Sequence, residues 1–375
     1  MFDVETALRE LVATGGSDLH LRAYTEPRLR LNGELVPLPG AEALTPADTE
    51  GAVRHMLRDA TKLEEFATEH EVDFSFAMAG VGRFRVNAFQ QRGTCSIVAR
   101  AIPFEIRTLD ELQLPAVMRD IADEERGIVL VTGTTGSGKS TTLYAALGQL
   151  NTPEKNIITI EDPVEYQVDG ITQVQVNPRA GLTFASGLRA MMRADPDVIM
   201  VGEIRDRETA QIAVEAALTG HLVLSTLHTN DAPTAITRLT EMGIEPFLVA
   251  SAIDAVVAQR LARQLCRHCK QRTIIPADVL RRNGFHVTLD LEAYEPDGCA
   301  RCNNTGYKGR IGLYEVMRLN DEIRSLAVER ASADRIAEVA MRHGMYRLRE
   351  DGLRKVTLGL TSIAEVARVC GTGAG

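Results

Sequence analysis

Gly133-Thr-Thr-Gly-Ser-Gly-Lys-Ser140 follows the apolar run Gly127-Ile-Val-Leu-Val-Thr132 and precedes Thr141-Thr-Leu-Tyr-Ala-Ala-Leu147, a stretch with helical patterning. The octet has the GxxxxGK form closed by a hydroxyl residue, and strand-before, helix-after is the context this form requires. Glycines let such a loop curl until its backbone N–H groups converge on phosphate oxygens. The helix N-terminus behind it adds partial positive charge. Lys139 supplies a mobile cation for the β- and γ-phosphates, and the Ser140 hydroxyl can ligate Mg²⁺. Gly133, Thr134, Thr135, Gly136, Ser137, Gly138, Lys139, Ser140 and Thr141 are therefore the candidate cradle for a nucleoside triphosphate with Mg²⁺.

The chain has 375 residues, 45% of them hydrophobic, and a formal net charge of −9. That length and composition imply a globular protein of two or three domains. The acidic balance gives no sign of a nucleic-acid binder. The first ten residues, Met1-Phe-Asp-Val-Glu-Thr-Ala-Leu-Arg-Glu, carry acids early and no apolar segment of the signal-peptide kind. The longest apolar stretch, residues 246–262, is broken by Asp254, Gln259 and Arg260, so no membrane span is expected. The expectation is a cytoplasmic protein with any membrane link made through partners.

Through the first hundred residues, helix-like and strand-like patterns alternate. Asp18-Leu-His-Leu-Arg22 and Pro27-Arg-Leu-Arg-Leu31 repeat at period two, as half-buried strands do. Asn32-Gly33 is a tight-hairpin signal, residues 46–66 read as a helix, and residues 72–76 with 82–89 read as a second hairpin. A small α+β domain over residues 1–103 follows. From Arg126 onward, strands at 128–132, 157–160, 198–201 and 222–226 are separated by helices at 140–150, 184–193 and 208–218. Such alternation predicts a largely parallel sheet covered on both faces, within a second domain of residues 104–375.

Four of the six cysteines form two knuckles, Cys266-x-x-Cys269 and Cys299-x-x-Cys302. Without an export signal, this spacing reads as a tetrahedral thiolate zinc site within a hairpin of residues 262–310. Disulfides and unliganded thiols are the alternatives, and the cytosol disfavours the former. Four thiolates leave no open coordination position, so such a site is structural. A helical region, 318–375, closes the chain.

Three acidic or histidine-bearing segments follow the phosphate loop. Glu161, Asp162 and Glu165 lie just past one strand, at the sheet end where ligands gather. Asp197-Val-Ile-Met-Val-Gly202-Glu203-Ile-Arg205-Asp206 is a second strand ending in acid, and Gly220-His221-Leu-Val-Leu-Ser-Thr-Leu-His228 sets a histidine at either end of a third. Attack of water on a γ-phosphoryl group needs a carboxylate to orient the water and cations to stabilise charge. The chain offers both.

Glu161-Asp-Pro-Val-Glu165, Val201-Gly-Glu-Ile-Arg-Asp206 and the segment from Gly220 to His228 resemble the aspartate box, Walker B and histidine box of the secretion ATPase superfamily. Ser17-Asp-Leu-His-Leu21 and Gly82-Arg-Phe-Arg-Val-Asn87 are similar to that family's N-terminal sensing domain. Gly306-Tyr-Lys-Gly-Arg310, Leu313-Tyr-Glu315 and Leu348-Arg-Glu-Asp-Gly352 are similar to its C-terminal part. The resemblance implies a RecA-like P-loop ATPase domain, α/β in class, with a smaller PAS-like N-terminal domain and a zinc-binding hairpin. It implies a cytoplasmic hexamer that hydrolyses ATP to drive pilin or pseudopilin assembly. It also implies docking at the inner membrane through a platform protein, with no nucleic acid as partner. On its pattern Glu165 is the general base, Glu203 the Walker B acid, His228 the γ-phosphate sensor, and Arg85 and Arg100 reach the nucleotide from the first domain. Gly202 stands where many Walker B strands carry an acid, and Asp162 or Glu161 are the candidates to compensate. The start of the chain is closest to pilus-retraction motors, whereas the cysteine hairpin and the tail resemble assembly and type II secretion motors. Assembly is the expected direction and retraction the alternative. From another class, a nucleotide-gated scaffold without turnover is disfavoured by the presence of both Glu165 and Glu203.

Overall fold

Alternating side chains in the first hundred residues build a six-stranded sheet in the order β3-β2-β1-β6-β5-β4, every neighbouring pair antiparallel. The strands are β1 (Asp18–Arg22), β2 (Arg28–Leu31), β3 (Glu34–Pro37), β4 (Glu71–Met78), β5 (Gly82–Gln91) and β6 (Thr94–Ile102). The computed structural model describes residues 2–31, 33–102, 106–285 and 287–371. Burial in β4 alternates strictly, with Val72, Phe74, Phe76 and Met78 turned inward. They join Leu19, Leu21, Phe84, Val86 and Ile97 in one core, which the helices Val4–Ala13 and Pro46–Met56 close with Leu8, Leu11 and Val53. Asn32 of the expected turn lies outside the described residues, while Leu31 pairs with Glu34 across the hairpin. The single helix expected over 46–66 is two. Leu57 turns to an extended conformation, and the Asp59 side chain accepts from the Thr61 and Lys62 amides to start a second helix, Ala60–Glu69. An aspartate free to cap competes with helix continuation, which is why the break falls there.

The chain divides into two compact units, Met1–Glu105 and Ile106–Gly375. The second is built on a seven-stranded sheet, ordered β15-β12-β7-β11-β10-β8-β9. Its strands are β7 (Gly127–Thr132), β8 (Ile157–Glu161), β9 (Thr172–Gln175), β10 (Val198–Val201), β11 (Leu222–Leu227), β12 (Ile253–Leu265) and β15 (Tyr307–Arg318). β13 (Gln271–Ile275) and β14 (Leu291–Glu295) form a separate two-stranded ribbon between the two cysteine knuckles. All pairs from β12 to β9 are parallel; β15 alone runs antiparallel, along β12. Successive residues of each central strand enter opposite cores. Val129, Val131, Val198 and Met200 pack with Leu143, Tyr144 and Leu147 of the helix Lys139–Leu150, whereas Ile128, Leu130, Ile199 and Val201 pack with Leu188, Ala213 and Ile236 on the other face. A sheet buried on both sides is what continuous apolar runs encode.

Among the described residues, four helices, Asp321–Val328, Ala333–Arg342, Leu348–Thr357 and Ile363–Cys370, follow β15. The last is fastened by Glu365, whose buried carboxylate accepts from the Arg263 backbone (3.0 Å) and guanidinium (2.6 Å) and from both Nε (2.9 Å) and Nη2 (2.8 Å) of Arg368. Burial opposes this charge, yet bonds from Arg368 and Arg263 hold the carboxyl down at about 2. A carboxyl depressed below its ordinary range contributes stability above that range, and the contribution is lost as pH falls through the native value. Unfolding by urea should therefore become easier between about pH 4 and about pH 2, and Glu365→Gln should weaken the protein at neutral pH while flattening that acid limb. Equal slopes for the two proteins would remove Glu365 as the cause.

Candidate functional site

The site segments gather because four adjacent parallel strands, β7, β11, β10 and β8, end on the same side. Thr132 at the end of β7 pairs with Leu227 and with Ala258, so the chain enters the loop at Gly133 between His228 and Gln259. Gly202 and Glu203 follow β10, and the segment 162–166 follows β8. Carboxyl ends of parallel strands are where open α/β sheets bind ligands.

Two glycines of the loop are obligatory on local geometry. Gly133 has φ +149° and Gly138 φ +91°. A Cβ on Gly133 would stand 2.5 Å from both the Gln259 carbonyl and the Ser137 hydroxyl, and one on Gly138 would stand 2.7 Å from Gln259 Nε2. The curl leaves Thr134, Thr135 and Gly136 exposed and Ser140 and Thr141 half-buried at the helix start. Lys139 Nζ donates to the carbonyls of Gly133 (2.9 Å) and Thr134 (3.3 Å). Burial lowers the Lys139 pKa, Glu203 and Glu165 act to raise it, and Arg260 acts with burial. The half-buried Lys139 ammonium thus feels the negative charge of both Glu203 and Glu165.

Glu203 is mostly covered, paired with Arg205 through Oε1, and its Oε2 lies 3.4 Å from His228 Nε2. Glu165 is exposed on the bend past β8, where its charge acts on Lys139. Asp162 is exposed beside it. Glu161 is the opposite case: it is 4% exposed, and Thr159 Oγ1 (2.6 Å) and Gln173 Nε2 (3.2 Å) donate to Oε1 while the Tyr144 hydroxyl donates to Oε2. With both oxygens engaged, Glu161 is a poor substitute for the acid missing at Gly202. The two histidines also separate. His221 stands at the far end of β11, roughly 20 Å along the strand from His228, where its Nδ1 lies 2.9 Å from the Ala216 carbonyl. Only His228 joins the loop's cluster.

Arg85 and Arg100 belong to the first unit, where they face each other across β5 and β6, both exposed. Arg100 Nε donates to Asp18 Oδ1 at 2.7 Å, and Arg30 stands 3.7 Å from the other carboxylate oxygen. Burial raises the Asp18 pKa, but bonds from Ser17 and Arg100 hold it below the usual range.

The four cysteine sulfurs of 266, 269, 299 and 302 all lie within 4.8 Å of one another. Cys266–Cys299 is 3.9 Å, Cys269–Cys302 3.7 Å and Cys299–Cys302 3.7 Å. Four thiolates at the Zn–S bond length around a tetrahedral ion stand ~3.8 Å apart, whereas a disulfide needs ~2.05 Å. The separations fit the metal. Cys302 Sγ also accepts from the amides of Cys299 (3.2 Å) and Gly306 (3.3 Å). Burial works against its thiolate, yet those backbone bonds hold the Cys302 pKa down at about 6.

A family model described as type II/IV secretion system protein matches residues 3–368. The chain belongs to this family. Among its curated relatives, the type IV pilus assembly ATPase PilB of Thermus thermophilus is 54% identical over 250 residues, covering 66% of this chain and 28% of that protein. The type II secretion system ATPase E of Vibrio cholerae is 42% identical over 381 residues, covering 98% of this chain and 74% of its own length. A crystal structure of the pilus retraction motor PilT with bound ADP superposes with a TM-score of 0.80 at 28% identity, across all of this chain and 98% of that one. The α/β ATPase fold read from the sequence is the fold these secretion-system relatives share.

Two residues of this secretion-system chain escaped the sequence reading as site components. Gln259 is buried on β12; its Nε2 donates to the Ser137 carbonyl at 2.8 Å and its Oε1 accepts from Thr142 Oγ1 at 2.8 Å. It therefore ties the middle of the phosphate loop to the first turn of the helix that follows it. Arg260, also buried, donates from Nη2 to the Asn230 carbonyl (3.1 Å) and Oδ1 (3.0 Å), two residues past His228. The available signal was two polar residues inside an otherwise apolar run, a placement that usually marks a satisfied buried partner.

Proposed function

We propose that this chain is a cytoplasmic ATP hydrolase that drives assembly of pilin-like subunits, for a type IV pilus or for type II secretion. The observation that carries the reading is Lys139, half-buried on the phosphate loop within the field of Glu203 and Glu165, with His228 Nε2 3.4 Å from Glu203. In this reading Lys139 holds the β- and γ-phosphates, the Ser140 hydroxyl ligates Mg²⁺, and the cradle from Gly133 to Thr141 supplies backbone N–H donors. Glu165, water-exposed on its bend, accepts the proton of the attacking water. Glu203 orients that water, and His228 reads the γ-phosphate through its contact with Glu203. When bound, Mg²⁺ neutralises charge that develops on the phosphoryl oxygens. Arg85 and Arg100 of a sensing, PAS-like first domain (1–103) add cationic charge at the nucleotide, so that occupancy and domain geometry depend on each other.

Cys266, Cys269, Cys299 and Cys302 hold a structural Zn²⁺. The working form is a homo-oligomer, a hexamer, seated on an inner-membrane platform protein; among the described residues no helix is long and apolar enough to cross a membrane. The assembly direction is supported by 54% identity to an assembly ATPase and by the tetracysteine cluster. Retraction is a second reading, favoured by the full-length superposition on a retraction motor. Deleting the gene tests the choice: cells without pili, or without secretion, are expected, while pili that persist but never shorten would establish retraction instead. Unchanged pili and secretion would overturn both.

A further inference from the structure

Glu165 sits in a strap whose two ends are held by one hydroxyl group. Tyr144 lies one turn beyond Ser140 on the phosphate-loop helix and is 1% exposed. Its hydroxyl donates to Glu161 Oε2, where β8 ends, and accepts from the Tyr166 backbone amide at 3.3 Å. Glu161 and Tyr166 bracket residues 162–165. Gln173 on β9 repeats the link from the other side: Nε2 reaches the Tyr166 carbonyl (2.7 Å) and Glu161 Oε1 (3.2 Å), and Oε1 accepts from the Val168 amide (2.9 Å). The Tyr144 and Tyr166 rings pack with centroids 4.8 Å apart.

At the hub is a buried carboxylate with no cationic side chain within 4.0 Å among the described residues; its donors are the neutral Tyr144, Thr159 and Gln173. Burying such a charge is costly unless every acceptor site is used, and a fully used network fixes a single geometry. Burial and the Glu161 charge both raise the Tyr144 pKa, so the phenol stays protonated and able to donate.

We propose that Tyr144 is a positioning residue: its hydroxyl ties the Glu161–Tyr166 strap to the phosphate-loop helix and thereby sets where Glu165 stands relative to Lys139. Movement of that helix is transmitted to the strap through the same hydroxyl. Glu161 on this account is a structural acceptor, and its buried charge serves to orient donors. The inference rests on the reading of Glu165 as the general base.

The test compares the full chain with Tyr144→Phe, Glu165→Gln and the double variant, measuring kcat and KM for ATP and the affinity for a fluorescent ATP analogue. Tyr144→Phe keeps the ring packing and removes one oxygen. It is expected to lower kcat about ten- to a hundredfold, the scale of a misplaced catalytic group, with KM and affinity within about twofold. On the Glu165→Gln background it should change the residual rate less than about twofold, because the group it positions is already lost. A Tyr144→Phe rate equal to wild type, or an equal fractional loss on both backgrounds, overturns the latch. To separate the lost latch from an unsatisfied buried carboxylate, Tyr144→Phe/Glu161→Met replaces both partners with apolar groups. The same loss of kcat is expected from it, and recovery of wild-type turnover overturns the proposal. A wild-type chain that hydrolyses no ATP overturns the functional reading itself. Glu165→Gln at wild-type rate beside an impaired Tyr144→Phe keeps the hydrolase and overturns only the latch.

Discussion

Glu165→Gln should leave a protein that binds ATP and turns it over about two to four orders of magnitude more slowly, the usual contribution of a positioned general base. Lys139→Ala should lose both binding and turnover. The contrast follows from where the two groups stand. Lys139 projects from the loop itself and donates to the Gly133 and Thr134 carbonyls, so its removal strips the cradle of its cation. Glu165 is exposed past β8 and influences the loop by charge. An amide of the same size keeps the bend and removes the proton acceptor. Replacing that carboxylate also removes an attraction that helps hold Lys139 charged, so phosphate affinity should not rise steeply. Steady-state phosphate release together with equilibrium nucleotide binding checks the pair. A Glu165→Gln protein within about tenfold of wild type would transfer the role of base to another group. Glu203, set between Arg205 and His228, would be the first to test.

What could be read from the sequence was local. Gly133–Ser140 announces its loop because glycine, lysine and hydroxyl are fixed by spacing within eight residues. The strands flanking it are short apolar runs, and the two Cys-x-x-Cys knuckles carry their own geometry. Choices between similar residues were another matter. Glu161 and Glu165 look alike in the sequence, yet the first is buried against Tyr144, seventeen positions earlier, while the second is exposed. His221 and His228 frame one strand, and strand length alone sets them at opposite ends of it. Gln259 was hidden for the same reason: its partner Ser137 is 122 positions away. The long β12–β15 pair also went unread, since β12 is buried along most of its length and shows no period-two alternation. Tertiary pairing, absent from any short window, decided each of these.

The cysteine cluster makes the other large prediction. Full-length protein purified without chelator should carry about one zinc per chain, and Cys302→Ser should carry almost none, because three thiolates and a hydroxyl are a far poorer set for that ion. The structural consequence should be severe but local. Among the described residues the elements between the knuckles are the ribbon β13–β14 and the short helix Ala277–Arg282, and a two-stranded ribbon is marginal in water without further support. The turn after the second knuckle is tightly built as well. Gly306 has φ +74°, its amide bonds Cys302 Sγ, and a Cβ there would stand 2.4 Å from Pro296. Structural zinc contributes on the order of 10 kcal/mol to small thiolate domains, more than this ribbon can supply from its own packing. Cys302→Ser, or wild type stripped by chelator, should therefore become rapidly cleaved by protease between residues 266 and 306. Nucleotide binding should persist, since β7, β11 and β10 are paired independently of the ribbon. Re-addition of zinc should restore protection in the stripped wild type and not in the variant. A wild-type chain holding well below one zinc, or a Cys302→Ser chain as protected as wild type, would refute a metal-built hairpin. The second knuckle would then be held by hydrogen bonds such as those from the Cys299 and Gly306 amides to the buried Cys302 sulfur, without a metal.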